Sequence, residues 1–278
     1  MLRALRALSV TAAVALHLTG SGLAAQDRGI VLATTTSTAD TGLLDSLLPK
    51  FQQETGIAVK PIAVGTGAAL EMARRGDADA VLVHAPESER AYVESGDLID
   101  GHRIMYNEFL IIGPVSDPAG AKGKAPAEAM KAIAAQGGFV SRGDASGTEK
   151  KELELWKDAG VAPGSLKRRE ETGQGMGATL LVAEQRQTYT LTDRATYLAF
   201  KDRLTLVPLV QGDPILHNVY SAYAVNPGKH PAAQRRAAVR FVQYLTDPKV
   251  QEWIGRFGVQ KWGEPLFHPD AGGVATGH

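Results

Sequence analysis

One stretch of this sequence, residues 139–148 (FVSRGDASGT), carries two serines, a threonine and an arginine around a glycine turn. An apolar pair precedes the turn, and a segment with helical spacing follows it. The first N–H groups of a helix have no internal acceptor, and the helix dipole places partial positive charge there. Strand, glycine turn and helix start can therefore bind an anion. The candidate donors are Ser141, Arg142, Ser146, Gly147 and Thr148.

Two further clusters of hydroxyl-bearing residues lie nearer the N-terminus. Residues 34–38 (TTTST) follow the apolar run 30–33, and residues 65–67 (GTG) follow the apolar run 62–64. For any one cluster alone, the capping of a helix is an equally good interpretation. Three clusters, each at the end of a predicted strand, favour a shared site. We predict that all three close on one oxyanion.

The chemistry of these donors limits the kind of anion. Hydroxyls, N–H groups and a guanidinium donate hydrogen bonds, and bonds to a charged acceptor are the stronger kind. A fully ionised tetrahedral oxyanion such as tungstate, molybdate or sulfate needs only donors. A phosphate that keeps one proton also needs an acceptor, which Asp144 could provide. Phosphate therefore stays open as an alternative.

The first 25 residues are predicted to form a secretory signal peptide. Arg3 and Arg6 precede an apolar run from Ala7 to Leu18, and small residues lead up to Ala25. This order is typical of a cleaved export signal, and the run is too short for a membrane anchor. The sequence contains no cysteine that could carry a lipid. We therefore expect a product that is free in the periplasm.

The rest of the chain has a balanced charge. Without residues 1–25, 28 basic residues face 30 acidic ones, which is not the basic composition of proteins that bind nucleic acid or anionic membranes. With no cysteine, stability must come from buried apolar area. About 250 residues can provide it, as one large domain or two smaller ones.

Apolar periodicity predicts alternating strands and helices along most of the chain. The predicted strands are 30–33, 57–64, 80–83, 103–113, 139–140, 188–191, 204–210 and 219–225. The predicted helices are 41–55, 67–75, 86–95, 126–135, 146–159, 173–186, 192–201, 231–245 and 248–257. This alternation is typical of sheets covered by helices, so the predicted fold class is α/β.

Two extended apolar segments, 103–113 and 219–225, are predicted to cross between two lobes. Two α/β lobes joined by two crossing strands form the type II-like architecture of a periplasmic binding protein. In that architecture the ligand lies between the lobes and the crossing strands act as the hinge. The predicted division is 26–109 plus 219–263 for the first lobe, 110–218 for the second, and 264–278 for a weakly ordered tail.

Long blocks of the sequence resemble the tungstate-binding periplasmic proteins of the TupA type. The matching blocks are 33–51 (ATTTSTADTGLLDSLLPKF), 64–89 (VGTGAALEMARRGDADAVLVHAPESE), 105–120 (MYNEFLIIGPVSDPAG), 139–148, 173–180 (GQGMGATL) and 189–197 (YTLTDRATY). They follow one another in order over most of the chain. The resemblance implies a bound tungstate, no cofactor, and delivery to an ABC transporter permease at the inner membrane.

The resemblance also implies particular contacts to the oxyanion. They would fall on Thr36, Ser37, Thr66, Gly67, Ser141, Arg142, Ser146 and Thr148. Arg194 is a second candidate cation, and an ion pair with Asp193 or another nearby acid is an equally good interpretation. His84, at the end of strand 80–83, is a candidate for lining the cleft. Glu149 stands where members of the family commonly carry His.

Other functions have less support in the sequence. A secreted serine hydrolase using Ser146 lacks the Gly-x-Ser-x-Gly elbow and a neighbouring acid/base pair. No second ligand at suitable spacing accompanies His84, so no protein-held metal is expected. Among oxyanions, tungstate ranks first on the resemblance, then molybdate or vanadate, then phosphate or sulfate. We expect a monomer whose partners are the oxyanion and the permease, with no nucleic acid.

Overall fold

The computed structural model describes residues 29–136, 138–272 and 275, so the predicted signal peptide lies outside the described residues. The strands are β1 (Ile30–Thr35), β2 (Val59–Val64), β3 (Ala80–Val83), β4 (Leu98–Gly113), β5 (Phe139–Ser141), β6 (Arg169–Glu171), β7 (Tyr189–Asp193), β8 (Val207–Val210), β9 (His217–Val225) and β10 (His268–Pro269). The α-helices are α1 (Thr36–Asp40), α2 (Leu43–Thr55), α3 (Thr66–Arg75), α4 (Pro86–Glu94), α5 (Pro126–Gln136), α6 (Gly147–Asp158), α7 (Met176–Arg186), α8 (Arg194–Phe200), α9 (Arg235–Thr246), α10 (Pro248–Ile254) and α11 (Val259–Trp262).

The strands pair in the order β2-β1-β3-β9-β4-β7-β5-β6, with β8 and β10 also bonded to β4. β1 runs parallel to β2 and β3, and β5 runs parallel to β6 and β7. β9 runs antiparallel to both β3 and β4. The mixed α/β class predicted from the periodicity is confirmed.

The long strand β4 joins two groups of strands in this sheet. Its part from Leu98 to Glu108 pairs with β9, whereas Phe109–Ile112 pairs with β7. We call β1, β2, β3, β9 and β4 up to Glu108 the first half, and the rest of β4 with β5 to β8 the second half. The lobe boundaries given above stay a prediction. The switch of partners along β4 places the ends of strands from both halves close together.

Helices cover the sheet with their apolar faces. The predicted stripe of helix α2 is buried, and its Phe51 packs edge-to-face on Phe241 of α9, with ring centroids 5.2 Å apart. Within the residues the structure describes, no helix combines the length and the apolar character needed to cross a bilayer.

The helix predicted over 41–55 is α2 (Leu43–Thr55), and a separate short helix, α1 (Thr36–Asp40), precedes it. The Thr35 hydroxyl accepts a hydrogen bond from the Thr38 N–H, so a helical turn, α1, begins at Thr36, earlier than predicted. Gly42 then adopts a φ of +74°, which ends that turn and starts α2. A left-handed residue cannot continue a helix, and glycine adopts it without steric cost. The hydroxyl cluster at residues 34–38 therefore lies at the start of a helix of its own, α1.

The predicted weakly ordered tail is wrong for residues 264–272. Leu266 and Phe267 are fully buried, and Phe267 packs edge-to-face on Tyr220 of β9. β10 pairs with β4, and the Asp270 carboxylate accepts hydrogen bonds from the Arg103 guanidinium. The glycine-rich composition of the tail concealed this short apolar anchor. Leu266 and Phe267 of the tail are therefore part of the core of the first half.

Replacing Phe267 with Ala should lower the free energy of unfolding by about 3–5 kcal/mol, because a buried aromatic ring is lost and a cavity remains. Urea denaturation checks this. The matched control is Val259→Ala at a side chain that is 42% exposed, where a change within about 0.5 kcal/mol is expected. Equal effects in the two variants would contradict the anchoring of the tail.

Candidate anion-binding site

The helix start predicted from the first stretch is present at α6. Ser146 is the N-cap, and its Oγ accepts from the Glu149 N–H at 3.2 Å. The Glu149 carboxylate turns back and accepts from the Ala145 N–H. Gly143 and Ala145 have φ values of +63° and +56°, which produce the tight turn before the helix. Glu149 therefore bonds to the backbone of the turn that precedes its own helix.

The starts of four helices lie close together. The distances below are measured from the position that a Cβ atom would occupy on a glycine at each contact. A Cβ built on Gly147 would lie 3.3 Å from the carbonyl oxygen of His84, which directly follows β3. A Cβ on Gly175, the N-cap of α7, would lie 3.6 Å from Thr36 Oγ1. A Cβ on Gly65, the N-cap of α3, would lie 4.0 Å from the carbonyl oxygen of Asp144. The starts of α1, α3, α6 and α7 therefore converge, two from each half.

Arg142 is the buried cation of this region, with 3% of its surface exposed. Its Nη2 donates to Asp144 Oδ2 at 2.5 Å, and its Nη1 lies 3.5 Å from Thr148 Oγ1. Among the described residues, Arg142 Nε and Thr66 Oγ1 are buried side-chain atoms with no hydrogen-bond partner. The third such atom, His230 Nε2, belongs to a residue outside the predicted site. A buried donor left unpaired costs about 1–3 kcal/mol. Both site atoms are thus suited to bind a ligand.

Beside these donors, a cluster of hydroxyls surrounds one imidazole. Thr35 Oγ1 lies 2.7 Å from Thr38 Oγ1 and 3.2 Å from Ser37 Oγ. The Nε2 atom of His84 lies 3.1 Å from Thr35 Oγ1 and 3.2 Å from Ser37 Oγ. The side chains of Thr35, Ser37, Thr38 and His84 are all buried. The cluster predicted at 34–38 therefore includes a histidine from the neighbouring strand.

Burial lowers the pKa of His84 to about 4. The Asp193 carboxylate and the hydrogen bond with Asn218 act in the opposite direction, and the Arg142 charge lowers the pKa further. An imidazole with this pKa is neutral at pH 7. The positive charge of the site therefore comes from Arg142 and the helix starts, and not from His84.

The side chains of two predicted ligand residues, Ser141 and Arg194, bond to other residues of the protein. Ser141 Oγ donates to Glu152 Oε2 at 2.6 Å and accepts from Arg169 Nη2 at 2.9 Å, so its only hydrogen is used inside the second half. We correct the prediction for this hydroxyl. The reason is that Glu152 lies on α6 within reach of β5, a proximity that spacing along the chain did not reveal.

Arg194 is likewise not a free cation for the site. Its guanidinium donates to Glu108 Oε1 through Nε at 2.9 Å, to Glu264 through Nη1 at 3.3 Å and to Gln211 through Nη2 at 2.8 Å. The interpretation as an ion pair with nearby acids is correct, and the candidate ligand role is not supported. Both acids come from segments distant in sequence, so only the tertiary structure could choose between the two interpretations.

The remaining predicted residues lie at the converging helix starts. Thr36 and Thr66 are the first residues of α1 and α3, and Gly67 follows Thr66 in an exposed first turn. Gly147 and Thr148 open α6. Sequence reasoning missed the role of Thr35, whose hydroxyl caps α1 and contacts Ser37, Thr38 and His84.

It also missed two asparagines that lie on the crossing strands. Asn107 of β4 and Asn218 of β9 are directly opposite each other and are buried. Each stands beside an ionisable residue, Glu108 or His217, at the edge of an apolar run, so the sequence carried no clear signal for either. His84 Nδ1 contacts Asn218 Oδ1 at 3.0 Å. The cluster of hydroxyls is therefore connected to the strands that join the two halves.

Comparison with known proteins places this architecture in a class. Residues 22–249 match the PBP superfamily domain, the domain of the periplasmic binding proteins, so the chain belongs to that superfamily and the predicted fold is confirmed. The tungstate-binding protein TupA of Peptoclostridium acidaminophilum is 44% identical over 247 residues, which are 87% of this chain and 86% of the relative. Within the superfamily, the chain belongs to the TupA family.

Two solved structures agree with this assignment. The tungstate binding protein TupA from Desulfovibrio alaskensis G20 has 45% identity and a TM-score of 0.78, covering 88% of this chain and 99% of that chain. The structure described as the tungstate ABC transporter from Geobacter sulfurreducens has 46% identity and a TM-score of 0.75, covering 83% and 99%.

The low pKa of His84 predicts how stability depends on pH. The unfolded chain takes up a proton on this residue near its ordinary pKa of 6.5, whereas the folded protein does so only near 4. The free energy of unfolding should therefore fall as the pH is lowered between these two values, by up to about 3 kcal/mol. Urea denaturation at a series of pH values measures this.

His84→Gln should reduce the slope in that window, because the variant has no group to titrate at this position. The same substitution at His268, whose side chain is exposed, is the control and should keep the slope. If His84→Gln leaves the pH dependence intact, then the imidazole is not the neutral buried group described above.

Proposed function

We propose that this protein captures a tetrahedral oxyanion, most favourably tungstate, where the four helix starts converge, and delivers it to an ABC transporter permease. The observation that carries the proposal is the pair of buried, partnerless donors, Arg142 Nε and Thr66 Oγ1. They come from opposite halves of the fold. A ligand that accepts from both would satisfy them and hold the halves together, as expected for a binding protein that closes on its cargo.

The other groups at this place are also donors. Thr148 Oγ1 is contacted by Arg142, and Ser146 Oγ accepts from the Glu149 N–H, so both hydroxyls keep their hydrogens for another acceptor. The first N–H groups of the converging helices add partial positive charge. Because Asp144 pairs with Arg142, no full net charge remains on this pair. An ion that binds here is held by many directed donors, which suits a fully ionised oxyanion.

The choice among oxyanions rests on the relatives. Both the curated relative and the solved structures carry tungstate in their names. Molybdate is the nearest alternative, because its size and charge are nearly those of tungstate and leave only cavity fit to separate the two; vanadate follows it. Phosphate with a proton would need an acceptor, and the Asp144 carboxylate already accepts from Arg142 and from the Ser146 N–H. Tungstate is therefore placed first.

Hydrolysis is the alternative of another class, and the geometry does not favour it. Ser146 acts as a helix cap. Ser37, His84 and Asn218 have the connectivity of nucleophile, base and orienting group, but Ser37 is only 1% exposed. A base whose pKa is about 4 is also poorly matched to neutral pH. The relatives are binding proteins, and we propose the same class here.

The location and the partner of the protein follow from the same proposal. A binding protein of an ABC transporter acts in the periplasm, and we propose that residues 1–25 direct export and that the protein works as a monomer with the permease of the inner membrane. The similar solved structure from Geobacter sulfurreducens is described as the tungstate ABC transporter, which supports this partner.

Calorimetric titration tests the proposal. The ligand-free protein is titrated with tungstate, molybdate, vanadate, sulfate and phosphate in a buffer without oxyanions. We expect stoichiometric, tight binding of tungstate and much weaker binding of sulfate and phosphate. Turnover of ester or phosphoester substrates would favour the hydrolase. Heat from none of the anions would refute the oxyanion site.

Variants at the two partnerless donors test the placement of the site. Arg142→Ala should weaken tungstate binding by about 2–5 kcal/mol, because a buried charge partner is removed. Thr66→Val keeps the shape of the side chain and should cost about 1.5–3 kcal/mol, the range for hydrogen bonds to charged groups. Arg194→Gln is the control, since its ion pairs lie outside the site. A larger loss in the control than at Arg142 would overturn this placement.

A further inference from the structure

A continuous line of buried side-chain hydrogen bonds runs from the second half to the hydroxyl cluster. It begins at Asp193, the N-cap of α8, and continues through Asn107 of β4 and Asn218 of β9 to His84. The distances are 3.2 Å from Asn107 Nδ2 to Asp193 Oδ1, 2.8 Å from Asn218 Nδ2 to Asn107 Oδ1 and 3.0 Å from His84 Nδ1 to Asn218 Oδ1. At most 4% of each of these residues is exposed. We call this line the amide relay.

The relay crosses the fold where the sheet changes partners. Asn107 and Asn218 are opposite each other on the two crossing strands. Two residues further along β4, Phe109 already pairs with Asp193 of β7. Of the four residues, Asp193 therefore lies in the second half, and His84 directly follows β3 of the first. The relay joins the two halves through side chains alone.

The chemistry of its first member sets the direction of every bond in the relay. A carboxylate oxygen can only accept, and Asp193 Oδ1 also accepts from the Thr196 N–H at 2.9 Å. Asn107 must therefore turn its NH₂ towards Asp193 and its carbonyl oxygen towards Asn218. Asn218 must then turn its NH₂ towards Asn107, where Tyr220 Oη also lies within 3.2 Å. Its oxygen is left to face His84.

His84 is the last member, and its tautomer follows from this direction. The Asn218 oxygen accepts, so His84 Nδ1 must carry the hydrogen. In a neutral imidazole the other nitrogen, Nε2, is then an acceptor. The ring is held in place by stacking on Tyr220, with centroids 4.6 Å apart. The amide relay thus leaves the lone pair of His84 Nε2 facing the hydroxyls of Thr35 and Ser37.

One lone pair shared by two hydroxyls determines how their hydrogens can point. Thr35 Oγ1 already accepts from the Thr38 N–H and lies 2.7 Å from the Thr38 hydroxyl. When Thr35 donates to His84 Nε2, the hydrogen of Ser37 remains available to an anion. When Ser37 donates to Nε2 instead, its oxygen can accept from a protonated ligand. The relay therefore controls the donor character of Ser37.

We propose that Asn107 and Asn218, anchored by Asp193, are positioning residues that hold His84 in its Nδ1–H tautomer and so direct the hydroxyl hydrogens of Thr35 and Ser37 at the binding site. This inference rests on the proposed oxyanion function for its effect on affinity. Its effect on the histidine tautomer can be measured without any ligand.

The experiment records long-range proton–nitrogen NMR spectra of the full protein labelled with ¹⁵N-histidine, with the His84 signals assigned by their loss in His84→Gln. In the unsubstituted protein His84 should be a neutral Nδ1–H imidazole. Asn107→Leu removes a residue that does not bond to His84 and breaks the relay two bonds away from the ring. It should shift His84 to the Nε2–H tautomer or to a mixture, and should weaken tungstate binding about three- to tenfold.

Asn107→Ser breaks the relay while keeping a polar group on β4, and it replaces the leucine variant if that does not fold. Asn226→Leu is the control, because Asn226 caps a loop of the first half through the Gly96 carbonyl oxygen and lies outside the relay. The control should change neither the tautomer nor the affinity.

Two outcomes would overturn the inference. The first is an Nε2–H or charged His84 in the unsubstituted protein at neutral pH. The second is an unchanged tautomer in the Asn107 variants, which would make Asn107 merely structural even if the affinity falls. If tungstate does not bind the unsubstituted protein, the proposed function fails, whereas the tautomer result still decides whether the relay exists.

Discussion

The rest of the site depends on the burial of the Arg142 guanidinium where the two halves of the fold meet. A buried cation has to be surrounded by acceptors, because the loss of hydration is costly unless hydrogen bonds replace it. Asp144 supplies one acceptor and Thr148 another, while Nε has no partner in the described part of the chain. The starts of the neighbouring helices come close to one another at Gly65, Gly147 and Gly175. Under the proposed function, a small multivalent acceptor between the halves would complete this set of bonds and link the binding of the anion to closure of the two halves.

The strands that cross between the halves do more than connect them. β4 pairs with β9 up to Glu108 and with β7 from Phe109, so the ends of strands from both halves meet at this point. A residue on a crossing strand can contact either half, and the buried Asn107 contacts both, since it bonds to Asn218 and to Asp193. A hydrogen-bonded line of this kind has a fixed direction only because one end is a carboxylate that cannot donate. The hydroxyl cluster and the crossing strands therefore form one polar system inside a mostly apolar core.

Residues with the same chemistry divide into ligand donors and internal partners according to what lies beside them. Ser141 and Ser146 are both serines in the predicted anion stretch, yet the first bonds to Glu152 and Arg169 and the second caps α6. Arg142 and Arg194 are both buried or half-buried, yet only Arg142 retains a partnerless nitrogen. In each pair the difference comes from acids on other elements. A hydroxyl has a single hydrogen to donate, so an internal acceptor removes it from the site.

The sequence by itself determined the α/β class, the three hydroxyl clusters and the helix starts of α3 and α6, because periodicity, glycine turns and capping residues act over a few neighbouring positions. The tertiary structure decided which polar groups keep an unpaired donor, why Leu266 and Phe267 anchor the tail, and how Asn107 and Asn218 join His84 to Asp193. These features depend on contacts between residues that are far apart in the chain. Direction and pairing of polar groups are set by the partner that the fold brings near, and no local pattern contains that partner.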